Sequence, residues 1–183
     1  TKHVVDGFLS RIEHPFVLEI GVDKGQTTLP LVHNLILKHG ARGSGTGFTY
    51  VGVDINLRDI VQHQLHQMEG VWMDTGLGNK PDSTDGRVIF YEDNSLNWIP
   101  TLKGKVKFDM ILLDGDHNYY TVKNELNLLR NFIKPTTIFL CDDFDGRYSR
   151  EDLWYSEKEE YADIKIATAK TEGEKTGVRD AII

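Results

Sequence analysis

The sequence is short of several things, and each shortage narrows what the chain can be. A single cysteine, Cys141, rules out an internal disulfide framework and a cysteine-rich zinc site. It lies in an apolar run and reads as a small buried hydrophobe. No apolar stretch approaches the ~18 residues of a membrane span, and the first residues hold no signal-peptide core. A cytoplasmic setting without a membrane partner is therefore expected. Positive charge is in deficit: 21 Lys and Arg against 28 Asp and Glu give a formal net charge of −7. That balance argues against general nucleic-acid binding. Two phosphate-binding signatures are also missing. The turn Gly21-x-x-x-Gly25 has Asp23 and Gln26 where a dinucleotide fingerprint has glycine, and Gly25-Gln26-Thr27 lacks the lysine of a P-loop. An aspartate in that turn would repel a pyrophosphate.

What is present is an alternation of strands and helices. The 183 residues, 39% of them apolar, fit one domain over 1–183. Continuous apolar runs predict strands at Phe16–Ile20, Tyr50–Asp54, Val88–Tyr91, Phe108–Leu113 and Thr137–Cys141. Helical spacing predicts a short helix before Pro15, then helices at Thr27–Lys38, 57–69, Leu96–Leu102 and Tyr119–Phe132. Residues 74–86, rich in Gly, Asp and Ser, read as an exposed excursion. Ile164–Ala169 and Val178–Ile182 read as two last strands joined by a hairpin connection, Lys170–Gly177, which makes the final pair antiparallel. The expected fold class is α/β, a Rossmann-like doubly wound sheet of seven strands, mostly parallel with an antiparallel last strand.

In such sheets ligands bind beyond the carboxyl ends of the strands. Here polar residues gather at that edge after every one of the five strands: Glu19 and Gly21, Asp54, Asp93-Asn94-Ser95, Asp114-x-Asp116-His117, and Asp142-Asp143. Asp54 can accept both hydroxyl hydrogens of a ribose, or cap a helix. Asn94 or Ser95 can cap the helix that follows, or border a base. Asp114, Asp116, Asp142 and Asp143 repel one another unless protonated, hydrogen-bonded or bridged by Mg²⁺, Mn²⁺ or Ca²⁺; caps and solvated ends are the duller reading, Asp116 above all before Tyr119. His63 and His66, with Glu69 a turn on, read as a solvated helix face rather than a metal site. Trp72, Trp98 and Trp154 suit core packing more than a pocket wall.

Three segments carry a resemblance: Val17–Gly25, Val51–Asp54 and Phe108–His117. Together they resemble the class I S-adenosylmethionine-dependent methyltransferases, over roughly residues 15–183. The resemblance implies that Glu19 and Gly21 line the methionine part of the cofactor, with Gly25 supporting the turn. Asp54 would hold the ribose, Asp93, Asn94 or Ser95 would border adenine, and Asp114 would lie near the reacting methyl. The Leu-Asp-Gly-Asp-His-x-Tyr run is similar to small O-methyltransferases, of the catechol type or of sugar and antibiotic pathways. The catechol-type members hold a divalent metal at positions matching Asp114, Asp142 and Asp143. No lysine stands where those enzymes often have their base, and Lys123 is too far along, so His117 is the expected base. The implied activity is methyl transfer to a hydroxyl of a small-molecule acceptor, with Asp145–Tyr161 as part of the acceptor pocket. A nicotinamide-dependent oxidoreductase, a non-catalytic cofactor-binding module and a homo-oligomer remain as alternatives on sequence grounds.

Overall fold

The computed structural model describes residues 7–40, 46–68, 71–74, 86–103, 106–173 and 175–183. Six strands form one sheet: β1 Phe16–Ile20, β2 Thr49–Asp54, β3 Val71–Asp74, β4 Gly86–Glu92, β5 Phe108–Leu113 and β6 Ile133–Cys141. Their order is β3-β4-β2-β1-β5-β6, and every pairing is parallel. Strand order reverses at β1, which lies between β2 and β5 and so opens a crevice at its carboxyl end.

The central strands are buried on both faces, which is why their sequences read as unbroken apolar runs rather than alternating ones. Successive residues feed opposite cores. Val17, Tyr50, Val88, Met110 and Leu112 pack with Leu31, Val32 and Leu35 of helix α1 (Thr28–His39) and with Val61 and Leu65 of α2 (Asp59–His66). Leu18, Ile20, Val51, Val53, Ile89 and Ile111 face the other way. They meet Trp98 of the one-turn helix α3 (Ser95–Trp98), Ile99, and Leu129 of α4 (Tyr119–Leu129). α3 is capped by Asn94, whose side chain accepts from Leu96 N, and α4 by Asn118, which accepts from Thr121 N at 2.8 Å. Asn118 therefore holds the place at the start of α4 for which Asp116 was suspected.

The terminal hairpin is not formed. Residues 164–169 lie in turns and irregular backbone, and Val178–Ile182 falls inside helix α5 (Gly177–Ile182). The sheet among the described residues thus has six strands, all parallel, in place of seven with an antiparallel last one. Val178 and Ala181 are three apart and pack together on Val122 of α4, so the helical period governs here over the β-propensity of valine and isoleucine. β3, pairing with β4 from Val71 to Asp74, stands where no strand was expected. β6 begins at Ile133, four residues before the expected start, with a register shift against β5 between Phe108 and Met110. The expected helix in the first residues lies outside the described set up to residue 6; residues 7–9 are helical. Glu69 and most of the 74–86 excursion also lie outside it.

Candidate functional site

The turn after β1 is locked from three sides. Gly21 has φ +89°, and a Cβ there would land on the backbone carbonyl of Asp114. Glycine is the residue that meets both demands at once. Gly25, at φ +73°, closes a turn from its N–H to Val22 O at 2.8 Å and faces Val61 of α2. Between them Asp23 also has a left-handed backbone, φ +40°. Across the crevice Asp54 Oδ2 accepts from Val22 N at 2.6 Å and Asp23 N at 2.9 Å, while its Oδ1 accepts from Asn56 N at 2.8 Å. Asp54 is therefore a brace for the glycine turn. With three backbone donors already on it, its four acceptor positions leave one for a ligand hydroxyl, not two.

Glu19 lies beneath the turn, 1% exposed. The Thr28 hydroxyl donates to it at 2.9 Å, and the Tyr50 hydroxyl donates to the same oxygen. Burial pushes the Glu19 carboxyl up to about 7, opposed by those two hydrogen bonds, and burial together with Glu19 raises the Tyr50 phenol as well.

The far end of the crevice is built from α3, α4 and the end of β4. Asp93, Asn94 and Ser95 line one pocket with Gly21, Asp54, Asp114 and Asp116. Ser95 Oγ donates to Glu125 Oε1 at 2.5 Å, and burial pushes that carboxyl up to about 8. Sequence reasoning missed Glu125, although a signal was there. It stands three residues after Val122 and four before Leu129, on the apolar stripe of α4, where an ordinary amphipathic helix has another hydrophobe.

The acids after β5 and β6 converge. One ligand atom each from Asp114, His117 and Asp142 lie within 4.8 Å of one another. His117, 8% exposed, turns Nε2 toward Asp114 Oδ1 at 3.9 Å and Nδ1 toward Asp143 Oδ2 at 3.3 Å. Its ring stacks on Tyr148, centroids 5.6 Å apart. Asp143 thus backs the imidazole rather than joining the group. It reaches that place from a left-handed backbone, φ +54°. Burial pushes the Asp114 carboxyl up to about 7, with Asp142 and Asp143 adding repulsion. Burial lowers His117, against a pull upward from Asp143 and Asp142, so the ring is neutral near pH 7. Asp114 and Asp142 are oxygen donors suited to a divalent cation, beside an imidazole whose other nitrogen faces a third carboxylate, Asp143.

Other residues singled out in the sequence stand apart from this edge. Trp98 and Trp154 are buried, His63 contacts Gln67, and Lys123 Nζ donates to Ala181 O. Cys141 is half-buried, its thiol pushed up to about 12 by burial.

A family described as a methyltransferase domain matches residues 18–144, from β1 to just past Asp143. No curated protein matches. Among solved structures, the SAH-bound methyltransferase PaMTH1 of Podospora anserina is 16% identical with a TM-score of 0.47, over 76% of this chain and 50% of that one. MNMC2 of Aquifex aeolicus is 9% identical with a TM-score of 0.49, over 96% of this chain and 55% of that one. The chain spans about half the length of these two proteins. It belongs to the methyltransferase-domain family, of the class I S-adenosylmethionine-dependent type that its sequence resembles.

Proposed function

We propose that this chain binds S-adenosylmethionine across the carboxyl edge of β1, β2 and β4 and transfers its methyl group to a hydroxyl of a small molecule held over Asp114 and His117. The observation that carries the reading is the meeting of Asp114, His117 and Asp142 beside a glycine turn that admits no side chain at residue 21. Gly21 and Glu19 would border the methionine part, Asp54 would take one ribose hydroxyl, and Asp93 to Ser95 would border the base. The cofactor supplies a methyl group already activated on a sulfonium. The protein's part is alignment and proton removal. A C–O bond forms as the C–S bond breaks, the electron pair returns to sulfur, and the hydroxyl proton leaves.

His117 is placed to take that proton. It is neutral near pH 7 and oriented through Nδ1 by Asp143. Asp114 and Asp142 would hold a divalent cation, whose chemistry is to lower the acceptor's pKa. The fit rests on electrostatics: the Asp114 carboxyl is raised by burial and by the neighbouring Asp142 and Asp143, and a cation offsets both. Half-buried Tyr155 and Tyr161, with Lys158, line a second cavity beside His117 and Asp114 that suits the acceptor.

Calorimetric titration of the full chain with S-adenosylhomocysteine tests the cofactor, with micromolar binding expected. No binding would sink the reading. Methyl transfer that survives exhaustive EDTA would remove the cation and leave His117 alone as the proton acceptor.

A further inference from the structure

Between β6 and α5 the chain makes an excursion, residues 142–176, whose two roots and tip are held very differently. The roots are tied to the body by backbone. Leu153 N donates to His117 O at 2.9 Å, Val178 N to Tyr148 O at 3.0 Å and Arg179 N to Ser149 O at 3.1 Å. Asp152 Oδ1 accepts from Tyr119 N and Gly177 N at 2.8 and 2.7 Å. The tip is another matter. Residues 155–168 make two short turns, Tyr155–Glu157 and Glu159–Tyr161, with no buried residue among them. They reach the body through the Asn94 amide, which donates to Ile166 O at 2.7 Å and Thr168 Oγ1 at 2.9 Å, through the Tyr155 N–H, which donates to the Asp116 carboxyl, and through the Tyr161 hydroxyl, which meets Arg58. The Thr168 hydroxyl in turn faces Asp116. A surface ion pair, Lys170 to Glu157 at 3.0 Å, holds the outer side.

The tip lies where the base of a nucleoside would lie. Tyr155, Tyr161 and Thr168 form the roof of the pocket whose floor is Gly21, Asp54 and Asp93 to Ser95. The space left under that roof is about 70 Å³. Pockets that take small organic ligands run to about 300–1,000 Å³. Tyr155 and Tyr161, packed edge to face at 4.9 Å, also line the cavity beside His117 and Lys158. The pair is thus a partition between two chambers.

We propose that residues 155–168 are a strap latched shut over the nucleoside end of the pocket. It must lift for S-adenosylmethionine to enter, and it then closes again so that Tyr155 and Tyr161 wall off the acceptor chamber. This rests on the cofactor reading above. Asn94 is the latch: its amide exchanges strap acceptors for the ligand when the strap rises. A segment with few buried contacts and a short list of anchors opens at far lower cost than the sheet.

Two measurements on the full chain test it. In hydrogen exchange without ligand, amides of 155–168 should exchange by local opening, far faster than those of β1 and β5. Thr168→Val, which removes the bond from Asn94 and the bond to Asp116, should speed them several-fold. Exchange of the strap only together with the sheet, by global unfolding, would overturn the proposal. In stopped flow, the observed rate of S-adenosylhomocysteine binding should level off with ligand concentration at the opening rate, and the plateau should rise several-fold in Thr168→Val. A linear dependence, equal in both proteins, would overturn the strap while leaving the cofactor reading intact. Failure of either protein to bind the ligand, with the strap amides opening locally, would overturn the cofactor reading and not the strap.

Discussion

Asp54 and Asp114 occupy matching places, each at the carboxyl end of a strand flanking β1, yet their surroundings are opposite. Asp54 is met by three backbone N–H groups and fastens the glycine turn. Asp114 faces other acids and a neutral imidazole, and its carboxyl is pushed up to about 7. One corner of the edge balances its charge from within the chain, and the other leaves it unbalanced. The contrast teaches that an acid at a strand end is not evidence of a ligand by itself. The acid that lacks internal donors is the one with capacity for a cation or a substrate.

The sharpest way to break the contrast is at the point where the two corners touch. Gly21→Ala forces a Cβ onto the Asp114 carbonyl from a backbone at φ +89°. A loss of more than ~4 kcal/mol is expected, read as insoluble protein or a Tm lower by more than ~10 °C. Gly115→Ala, whose Cβ would meet Ile20 Cγ2 at 3.2 Å, is the control and should cost under ~1 kcal/mol. Equal losses in the two variants would mean that the turn and the β5 end are not in backbone contact.

Next come the two acids themselves. Asp54→Ala strands three N–H groups and should cost about 3 kcal/mol in denaturant unfolding. Asp114→Asn removes a buried and repelled charge and should gain about 1 kcal/mol at pH 8 and a smaller part of that at pH 5. It should also abolish any rise in Tm on adding Mg²⁺. Losses of the same sign and size at both positions would erase the distinction.

A further effect is in pH dependence. Glu19 holds its proton up to about 7 when folded against an ordinary 4.5, so between those values the folded state binds more protons than the unfolded one. Its contribution to stability therefore falls as pH rises through that window and is at its worst above it. Glu125 acts in the same direction, from 4.5 to about 8. Glu19→Gln should flatten the decline in stability from pH 5 to 8 and gain ~1–2 kcal/mol at pH 8. An unchanged slope would show that the carboxyl is charged at neutral pH.

The parts of this molecule legible in the sequence are those with a local cause. Phe108–Leu113 can only be a strand buried on both faces, and the acids that follow each strand were visible as a set. The four residues of β3 are too short a run to show a period, and only pairing with β4 makes them a strand. Ile164–Ala169 alternates like a strand, yet among the described residues no strand pairs with it, and its carbonyl at Ile166 goes to a side chain instead. The role of Asp54 as a brace depends on N–H groups more than thirty positions away in the chain. That His117 meets Asp114 and Asp142, with Asp143 behind the imidazole on a left-handed backbone, was announced by no local pattern.

β6 ends the sheet, and among the described residues nothing pairs with its outer side. None of its nine residues is fully buried. A row of open backbone groups is a template for adding a foreign strand. Lys134 and Pro135 blunt the first part of that row, but Thr136 to Cys141 is an uncharged run rich in β-forming residues. What stops the run is Asp142-Asp143. The carboxylates that crowd the chemical edge therefore also act as gatekeepers of solubility, and any change that neutralises them lengthens the adhesive margin of β6.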